Sequence, residues 1–238
     1  MEIENILNFL SGVAANNNRE WFLEHKEEFE RCQTEFREGI DLLIAKLSVI
    51  DPEIEYLKAA DCCYRFYRDI RFSLDKSPYK RHFGAYICRD GKKSLRGGYY
   101  VHVQPGHCLV AFGCYYLPTK MLNACREEML DREEEWRQAV ENKAFLRLFG
   151  RPTSTDLDLD QENLGAKGFG LSALKKLPRG FNGHEDMADY LRLKSYACWR
   201  RMDDAFFCGD KWVDSVAKWA KPAKPAMDFI NAVLDDFD

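Results

Sequence analysis

The sequence has no long apolar run. No stretch approaches the roughly 18 residues that a membrane-spanning helix needs, and the amino-terminal segment MEIENILNFL carries two glutamates where a secretion signal would carry basic residues. We therefore expect a soluble, cytoplasmic protein with no membrane partner. With 46% apolar and 31% charged residues, the composition is that of a globular chain rather than a disordered one.

Closely spaced cysteine pairs are also missing. None of the nine cysteines stands in a Cys-x-x-Cys arrangement, the spacing typical of structural zinc sites. His102 and His107 lie near the two ends of a tight connection, but two histidines without a third nearby ligand do not make a metal site. We therefore predict no metal and no cofactor, and we interpret the cysteines as free thiols of a reducing compartment.

Low-complexity tracts, internal repeats and long Gly-, Ser- or Pro-rich linkers are absent from the 238 residues. A chain of this length can bury one large core. Nothing in the sequence marks a domain boundary, and no signal indicates an oligomeric state. We therefore predict a single α+β domain that covers residues 1–238.

Two long helices are predicted from the spacing of apolar residues. Between positions 21 and 47, apolar side chains recur at steps of three, four and seven residues, which is typical of one buried helix face. The run Asn16, Asn17 and Asn18 supplies N-cap candidates for this helix, and Asn17 followed by Glu20 resembles a capping box. A second helix with a similar apolar stripe is expected to begin at Pro118 and to extend to about Val140.

The two ends of the chain are predicted to be helical as well. Residues 3–13 place their apolar side chains on one face of a short helix. The tail from Asp210 is expected to form a helical segment that Pro222 and Pro225 interrupt, because proline removes a backbone donor and clashes with the preceding turn. Residues 151–170 are polar, and we expect them to be irregular.

A central antiparallel sheet is predicted from three short stretches rich in β-branched and aromatic residues. These stretches are 83–88, 99–104 and 108–116, and their short connections favour a meander. Residues 195–202 are a further strand candidate. The predicted fold class is thus α+β: an antiparallel sheet with a meander at its centre, covered by the two long helices and followed by a C-terminal helical segment. Alternate side chains of the middle strand would share one face, namely Tyr100, His102 and Gln104.

Positive charge is concentrated in one part of the chain. Residues 58–93 contain ten lysines and arginines and four aspartates, a local balance of +6; since the whole chain carries −4, the remainder carries −10. Such segregation is typical of a localised anion-attracting surface. A nucleic-acid partner is not expected, because a basic excess would then normally dominate the whole domain.

The densest part of this region is RFYRDIRFSLDKSPYK, residues 65–80. Guanidinium groups bind phosphates and carboxylates through paired hydrogen bonds, and aromatic rings stack on flat ligands. We therefore predict a site for a phosphorylated or carboxylated small molecule. The candidate ligand-binding residues within the segment are Arg65, Arg68, Arg71, Lys76, Tyr79 and Lys80. Asp69 and Asp75 are the candidate catalytic carboxylates.

Two other interpretations of residues 65–80 remain open. Arginines and aspartates at short spacing can form an internal ion-pair network, and the protein would then be a structural or protein-interaction module. Alternatively, the protein is an enzyme acting on a phosphorylated metabolite, with one of the aspartates as the acid or base. The residue pattern also leaves open whether the segment is a strand or a helix.

Five separated motifs carry a family resemblance. They are NNREWF (17–22), RFYRDIRFSLDKSPYK (65–80), the strand ending in Pro-Gly (98–106), LKKLPRGF (174–181) and Leu-Lys-Ser (193–195). With these motifs the chain resembles an uncharacterised family of bacterial and fungal hypothetical proteins, known as domain of unknown function 2461, over nearly its whole length. The resemblance implies an α+β fold and carries no established activity, substrate or catalytic residue.

The same motifs extend the list of candidate site residues. Because they are polar, aromatic and far apart in sequence, we expect them to meet in a cleft with several cations and few acids, which would favour a phosphate-bearing ligand. This adds Trp21, Arg179 and Lys194 to the ligand-binding candidates of residues 65–80.

Overall fold

The structure is a computed structural model that describes residues 2–153 and 164–237. The chain forms two compact units, each built from three separate segments. The first unit contains Met1–Lys92, Tyr100–Leu109 and Met202–Ala217, and the second contains Lys93–Tyr99, Val110–Arg201 and Lys218–Asp238. The single domain expected over residues 1–238 stays a prediction.

The strands form a five-stranded sheet in the order β1-β2-β3-β5-β4. They are β1 (Phe83–Ile87), β2 (Gly98–Val103), β3 (Cys108–Cys114), β4 (Lys167–Phe169) and β5 (Tyr196–Met202). The first three strands are neighbours both in sequence and in the sheet, as a meander requires. The predicted α+β class and the antiparallel sheet are confirmed.

Strand β4 corrects the expectation that residues 151–170 are irregular. It pairs antiparallel with β5, with Gly168 opposite Trp199, and a Cβ atom at Gly168 would overlap the Trp199 ring. The short strand therefore depends on a glycine that lets a large indole ring lie flat on the backbone. The part of the prediction that covers residues 154–163 lies outside the described residues.

The helices account for most of the remaining described chain. They are α1 (Ile3–Ala15), α2 (Arg19–Glu24), α3 (Lys26–Leu47), α4 (Ala59–Cys62), α5 (Thr119–Asp131), α6 (Glu133–Glu141), α7 (Lys143–Phe149), α8 (Ala188–Leu191) and α9 (Lys211–Leu234), with 3-10 turns at Pro52–Ile54, Glu185–Met187, Asp204–Phe207 and Asp235–Phe237. Within the described ranges, no helix combines the length and the apolar character needed to cross a membrane. Helix α3 packs against β1, and α7 packs against β4.

The first predicted long helix is divided in two. His25 leaves the helical backbone region between α2 and α3 (φ −106°, ψ 20°), and its Nδ1 atom lies 2.8 Å from the Trp21 carbonyl oxygen, a local bond that competes with the helix. The N-cap is one of the three candidate asparagines, but the capping box predicted at Asn17 is wrong. Asn18 caps α2 by accepting from the Trp21 N–H, whereas the Asn17 side chain bonds both backbone groups of Tyr79 at 3.0 Å.

The second predicted long helix is also divided, at Arg132 between α5 and α6. The Arg132 guanidinium donates to Glu128 at 2.8 Å and to Glu135 at 3.0 Å, and so links the two helices across the break. The prediction for the C-terminal segment is also wrong. An interruption was predicted at Pro222 and Pro225, but α9 runs through both prolines without one. Ala220 and Ala223 beside the prolines are buried, and burial of this face offsets the lost backbone bonds.

An aromatic cluster forms the core of the first unit beneath residues 65–80. Phe66 lies 5.0 Å from Phe29 and 5.3 Å from Phe83, measured between ring centroids. The Tyr79 ring stacks on Phe22 with centroids 4.1 Å apart. The segment is thus anchored through one inward-facing aromatic residue near each of its ends.

Candidate functional site

Residues 65–80 form an extended hairpin, which answers the question that the sequence left open. Tyr67 and Tyr79 form an antiparallel bridge. The Arg68 N–H donates to the Pro78 carbonyl oxygen, and the Lys80 N–H donates to the Phe66 carbonyl oxygen, both at 2.9 Å. The remaining residues, 69–77, form the loop at the end of the hairpin.

Arg68 holds this loop together. Its guanidinium donates to an Asp75 carboxylate oxygen at 2.7 Å, to the Ser77 carbonyl oxygen at 2.9 Å and to the Ser73 hydroxyl at 3.3 Å. Asp75 in turn accepts from the hydroxyl and the N–H of Ser77, and these bonds, together with Arg68, lower the pKa of Asp75 to about 2. Most of the hydrogen-bonding capacity of Arg68 is therefore directed at the loop itself.

Arg71 is paired in a similar way, but at the surface. Its guanidinium makes two hydrogen bonds to Asp69, at 3.0 and 2.7 Å, and these bonds lower the pKa of the Asp69 carboxyl. The Lys76 ammonium donates to the Ile70 carbonyl oxygen at 3.0 Å. Because the pKa values of Asp69 and Asp75 are both lowered, we expect neither carboxylate to hold a proton for catalysis at neutral pH.

The different settings of the two arginines give a testable prediction. Arg68→Ala is expected to lower the free energy of unfolding by about 1–2 kcal/mol, because a charged donor to three acceptors is removed. Arg71→Ala is the matched control, since the Arg71 side chain is 76% exposed and such surface pairs contribute little to stability. Urea unfolding of both variants measures the difference, and equal losses would mean that Arg68 does not hold the loop.

A second group of polar side chains lies where this hairpin joins β1 and β2. We define the histidine cluster as Tyr64, Lys80, His82, Tyr100 and His102, all of which belong to the first unit. The rings of His82 and His102 stack with centroids 4.2 Å apart. The Lys80 ammonium lies 5.1 Å from the centre of the Tyr64 ring. His102 is buried, whereas the other four side chains are at least partly exposed.

Gly84 of β1 makes room for the two tyrosines of the histidine cluster. The Tyr64 N–H donates to the Gly84 carbonyl oxygen at 2.9 Å, which fixes the hairpin beside β1. A Cβ atom at Gly84 would lie 3.3 Å from the Tyr100 hydroxyl oxygen and 3.5 Å from Cδ2 of Tyr64. A residue without a side chain at this position therefore lets both rings approach the strand.

Gln104 fixes the proton arrangement on His102. Nε2 of His102 lies 3.1 Å from the Gln104 side-chain oxygen, and Nδ1 lies 2.8 Å from the Tyr100 hydroxyl. Because the Gln104 oxygen can only accept, Nε2 carries the ring proton, and Nδ1 accepts the proton of the Tyr100 hydroxyl. The Tyr100 O–H is thus directed at Nδ1 of His102.

The imidazoles of the histidine cluster are held in their neutral form. Burial lowers the pKa of His82 to about 4, and the positive charges of Lys80 and His107 add to the effect. Burial also holds the pKa of His102 well below its ordinary value, with His82, His107 and Lys80 acting in the same direction. At neutral pH both rings therefore present lone pairs rather than positive charge.

The two histidines considered as metal ligands belong to the same segment of the first unit. His102 and His107 do lie close together, with ring centroids 5.7 Å apart in an edge-on arrangement. Within residues 2–153 and 164–237, however, no group of three or more His, Cys, Asp or Glu side chains is arranged to hold a metal ion.

Comparison with known proteins identifies a family. The family model described as conserved hypothetical protein (DUF2461) matches residues 5–229. The chain belongs to the DUF2461 family. Neither the comparison with curated proteins nor the comparison with solved structures gives a match. The resemblance on which the sequence analysis relied is confirmed, and the family carries no assigned function.

The other predicted site residues of this DUF2461 protein have different settings. Trp21 stacks on His25 with centroids 3.9 Å apart and packs closely on Gly12, and Tyr79 is buried in the aromatic core. Arg65 is exposed on the hairpin. Arg179 and Lys194 are exposed residues of the second unit. The expectation that all the motifs meet in one cleft stays a prediction.

Sequence reasoning missed Tyr64 and His82 as site residues of the DUF2461 protein. The alternation of Tyr100, His102 and Gln104 was visible, but the pairing of Cys63 and Tyr64 with β1, the strand next to β2, was not. A retrospective signal exists in the order His82, Phe83, Gly84, because alternation places His82 and Gly84 on the same face of β1. That face is the one on which Tyr100 and His102 lie.

Proposed function

We propose that this DUF2461 protein binds a small molecule bearing a phosphate or carboxylate at the histidine cluster. One observation carries the proposal: the Lys80 ammonium and the partly exposed His82 ring belong to one cluster, and the positive charge of Lys80 opposes protonation of the imidazole. An anion placed beside Lys80 and His82 would remove this unfavourable field. Binding of an anion is therefore favoured by the charges already present.

The accessible side chains supply complementary groups for such a ligand. Lys80 provides a permanent positive charge, and His82 provides a ring N–H that an anionic oxygen can accept. The Tyr64 ring, over which Lys80 lies, offers a face for an apolar part of the ligand. Lys80 is one of the ligand-binding residues expected from the sequence, so the proposal keeps the basic segment but places the anion at its carboxyl-terminal end.

The loop of the hairpin supports the second candidate, a structural or interaction module. Arg68 and Arg71 bond to Asp75 and Asp69 within the same loop, so an incoming anion would have to compete with carboxylates for both guanidinium groups. We assign the anion to the histidine cluster because the partly exposed His82 ring adds a second binding group there beside the Lys80 ammonium.

Titration calorimetry with inorganic phosphate tests the proposed function. We expect Lys80→Gln to weaken phosphate binding by at least about tenfold, because one charge-assisted hydrogen bond is lost. Arg71→Gln is the matched control: it removes one cation from the same hairpin, outside the histidine cluster, and should leave the affinity within about twofold. Equal weakening by both variants would point to a diffuse basic surface, and an Arg71 effect alone would place the anion at the loop.

Binding at His82 also predicts a direction for the pH dependence of affinity. A bound anion raises the pKa of the His82 imidazole above its value of about 4 in the free protein. At pH values between the free-state and the bound-state pKa, binding is therefore accompanied by uptake of a proton. The affinity for phosphate, corrected for the ionisation of phosphate itself, should therefore rise as the pH falls from 7 to 5. In His82→Gln this rise should disappear.

A further inference from the structure

We infer that His82 is a nucleophile that accepts a phosphoryl group from an acyl phosphate bound at the histidine cluster. This inference rests on the proposed function, because it takes the anion site at Lys80 and His82 as the place where the donor binds. It adds a group-transfer step to what is otherwise a binding site.

The position of the His82 ring suits a nucleophile. The ring is partly exposed, and it is fixed by stacking on His102 with an angle of 30° between the ring planes. Among the residues that the structure describes, neither ring nitrogen of His82 has a hydrogen-bond partner. His102 differs, since both of its ring nitrogens are engaged by Tyr100 and Gln104. Of these two imidazoles, His82 is the one that can turn a nitrogen towards a ligand.

The charge states of His82 and its neighbours also favour phosphoryl transfer to His82. A nucleophile must present a lone pair, and the neutral His82 imidazole presents one at physiological pH. Lys80, which acts electrostatically on His82, can balance the negative charge on the oxygens of a transferring phosphoryl group. The half-buried Cys63, next in sequence to Tyr64, is not a competing nucleophile, because burial raises the pKa of its thiol to about 12 and keeps it protonated.

The chemistry of the leaving group selects the class of donor. The Tyr100 proton is directed at Nδ1 of His102, and in the proposed complex the Lys80 ammonium is engaged with the phosphoryl oxygens. Neither group would then be directed at an alkoxide leaving group, which needs a proton donor. The carboxylate released from an acyl phosphate is stable as an anion and needs none.

The proposed transfer exchanges one bond to phosphorus for another. The unprotonated ring nitrogen of His82 attacks phosphorus, and a nitrogen–phosphorus bond forms as the bond from phosphorus to the acyl oxygen breaks. The electron pair of the broken bond leaves with the carboxylate, and the other ring nitrogen keeps its proton. Lys80 contacts the phosphoryl oxygens throughout the reaction. It is therefore predicted both to bind the donor and to stabilise the transition state of the transfer.

Incubation of the full chain with acetyl phosphate tests this inference. We expect phosphorylation of His82 that survives alkali and is lost in acid, mapped by peptide mass spectrometry of the wild type. The rate should fall by more than about a hundredfold in His82→Gln, because the nucleophile is removed. His184→Gln is the matched control: this histidine is exposed and belongs to the second unit, and its replacement should leave the rate unchanged.

The possible outcomes separate the inference from the proposed function. Phosphate binding that depends on Lys80, without phosphorylation of His82, would overturn the inference and leave the proposed function intact. Failure of both phosphate binding and phosphorylation would overturn both. Labelling of His184 as fast as His82 would indicate unspecific chemistry and would also overturn the inference. Since the labelled residue is mapped in the wild type, this comparison stands even if His82→Gln does not fold.

Discussion

Replacing Gly113 with alanine is expected to unfold the second unit. Gly113 lies in β3 with φ +102°, a left-handed conformation that alanine adopts only with strain. A Cβ atom there would also overlap the Tyr196 carbonyl oxygen of β5, which lies next to β3 in the sheet. The strands on both sides of this contact are held at their backbones, which cannot move aside as a flexible side chain can. We expect a loss of about 5 kcal/mol or more in the free energy of unfolding.

A matched glycine separates the two causes of this loss. Gly180 has nearly the same backbone angle, φ +96°, but nothing lies within 4 Å of a Cβ atom built there. Gly180→Ala should therefore cost only the conformational strain, about 1–2 kcal/mol. Urea unfolding followed by circular dichroism measures both variants. Similar losses in the two variants would mean that the approach of Tyr196 to Gly113 does not limit the packing of β3 on β5.

Mild acid is expected to destabilise the first unit through its histidines. The unfolded chain protonates an imidazole near pH 6.5, whereas the folded protein holds the pKa of His82 at about 4 and that of His102 well below its ordinary value. Between these values the unfolded state binds more protons, so stability falls as the pH is lowered. From pH 7 to pH 5 we expect a loss of about 2 kcal/mol from His82 alone, with His102 adding to it.

The carboxylates of the hairpin act in a different pH window. Their lowered pKa values, about 2 for Asp75, mean that their contribution to stability is present above the ordinary carboxyl pKa and is lost only as the pH falls through the folded value. The loss between pH 7 and pH 5 is therefore assigned to imidazoles. Urea unfolding at the two pH values should give a smaller difference for His82→Gln and an unchanged difference for the exposed-site control His184→Gln. An unchanged difference for His82→Gln would refute the assignment.

Periodicity and turn chemistry were sufficient for much of the fold. The strands from 83 to 114 were predicted within two residues at each end, because alternating β-branched and aromatic residues bounded by glycine are a pattern that predicts a strand. Helix interruptions were predicted less well. The break at His25 arises from a side-chain bond to Trp21, and the continuity of α9 through Pro222 depends on tertiary burial, neither of which a local pattern contains.

The candidate site was also predicted only in part, because it too depends on contacts that a local pattern does not contain. The sequence left open whether Arg68 binds a ligand and Asp75 acts in catalysis or whether both belong to an internal ion-pair network. Composition alone could not decide, because the answer depends on the conformation of the loop between them. Lys80 was included among the candidates, but its neighbours His82 and His102 come together only through the register of the hairpin, β1 and β2. Register is a long-range property that single-residue chemistry does not specify.

The division of each unit into three chain segments has a consequence for fragments of this protein. A fragment that ends at Lys92 would retain Lys80 and His82 but would lack Tyr100 and His102, which return to the first unit after the chain has passed through the second. Neither unit can be obtained by cutting the chain at a single point. Any assay of the histidine cluster therefore has to use a chain that includes all three segments of the first unit. An internal deletion in the second unit would change the connection between these segments as well as remove residues.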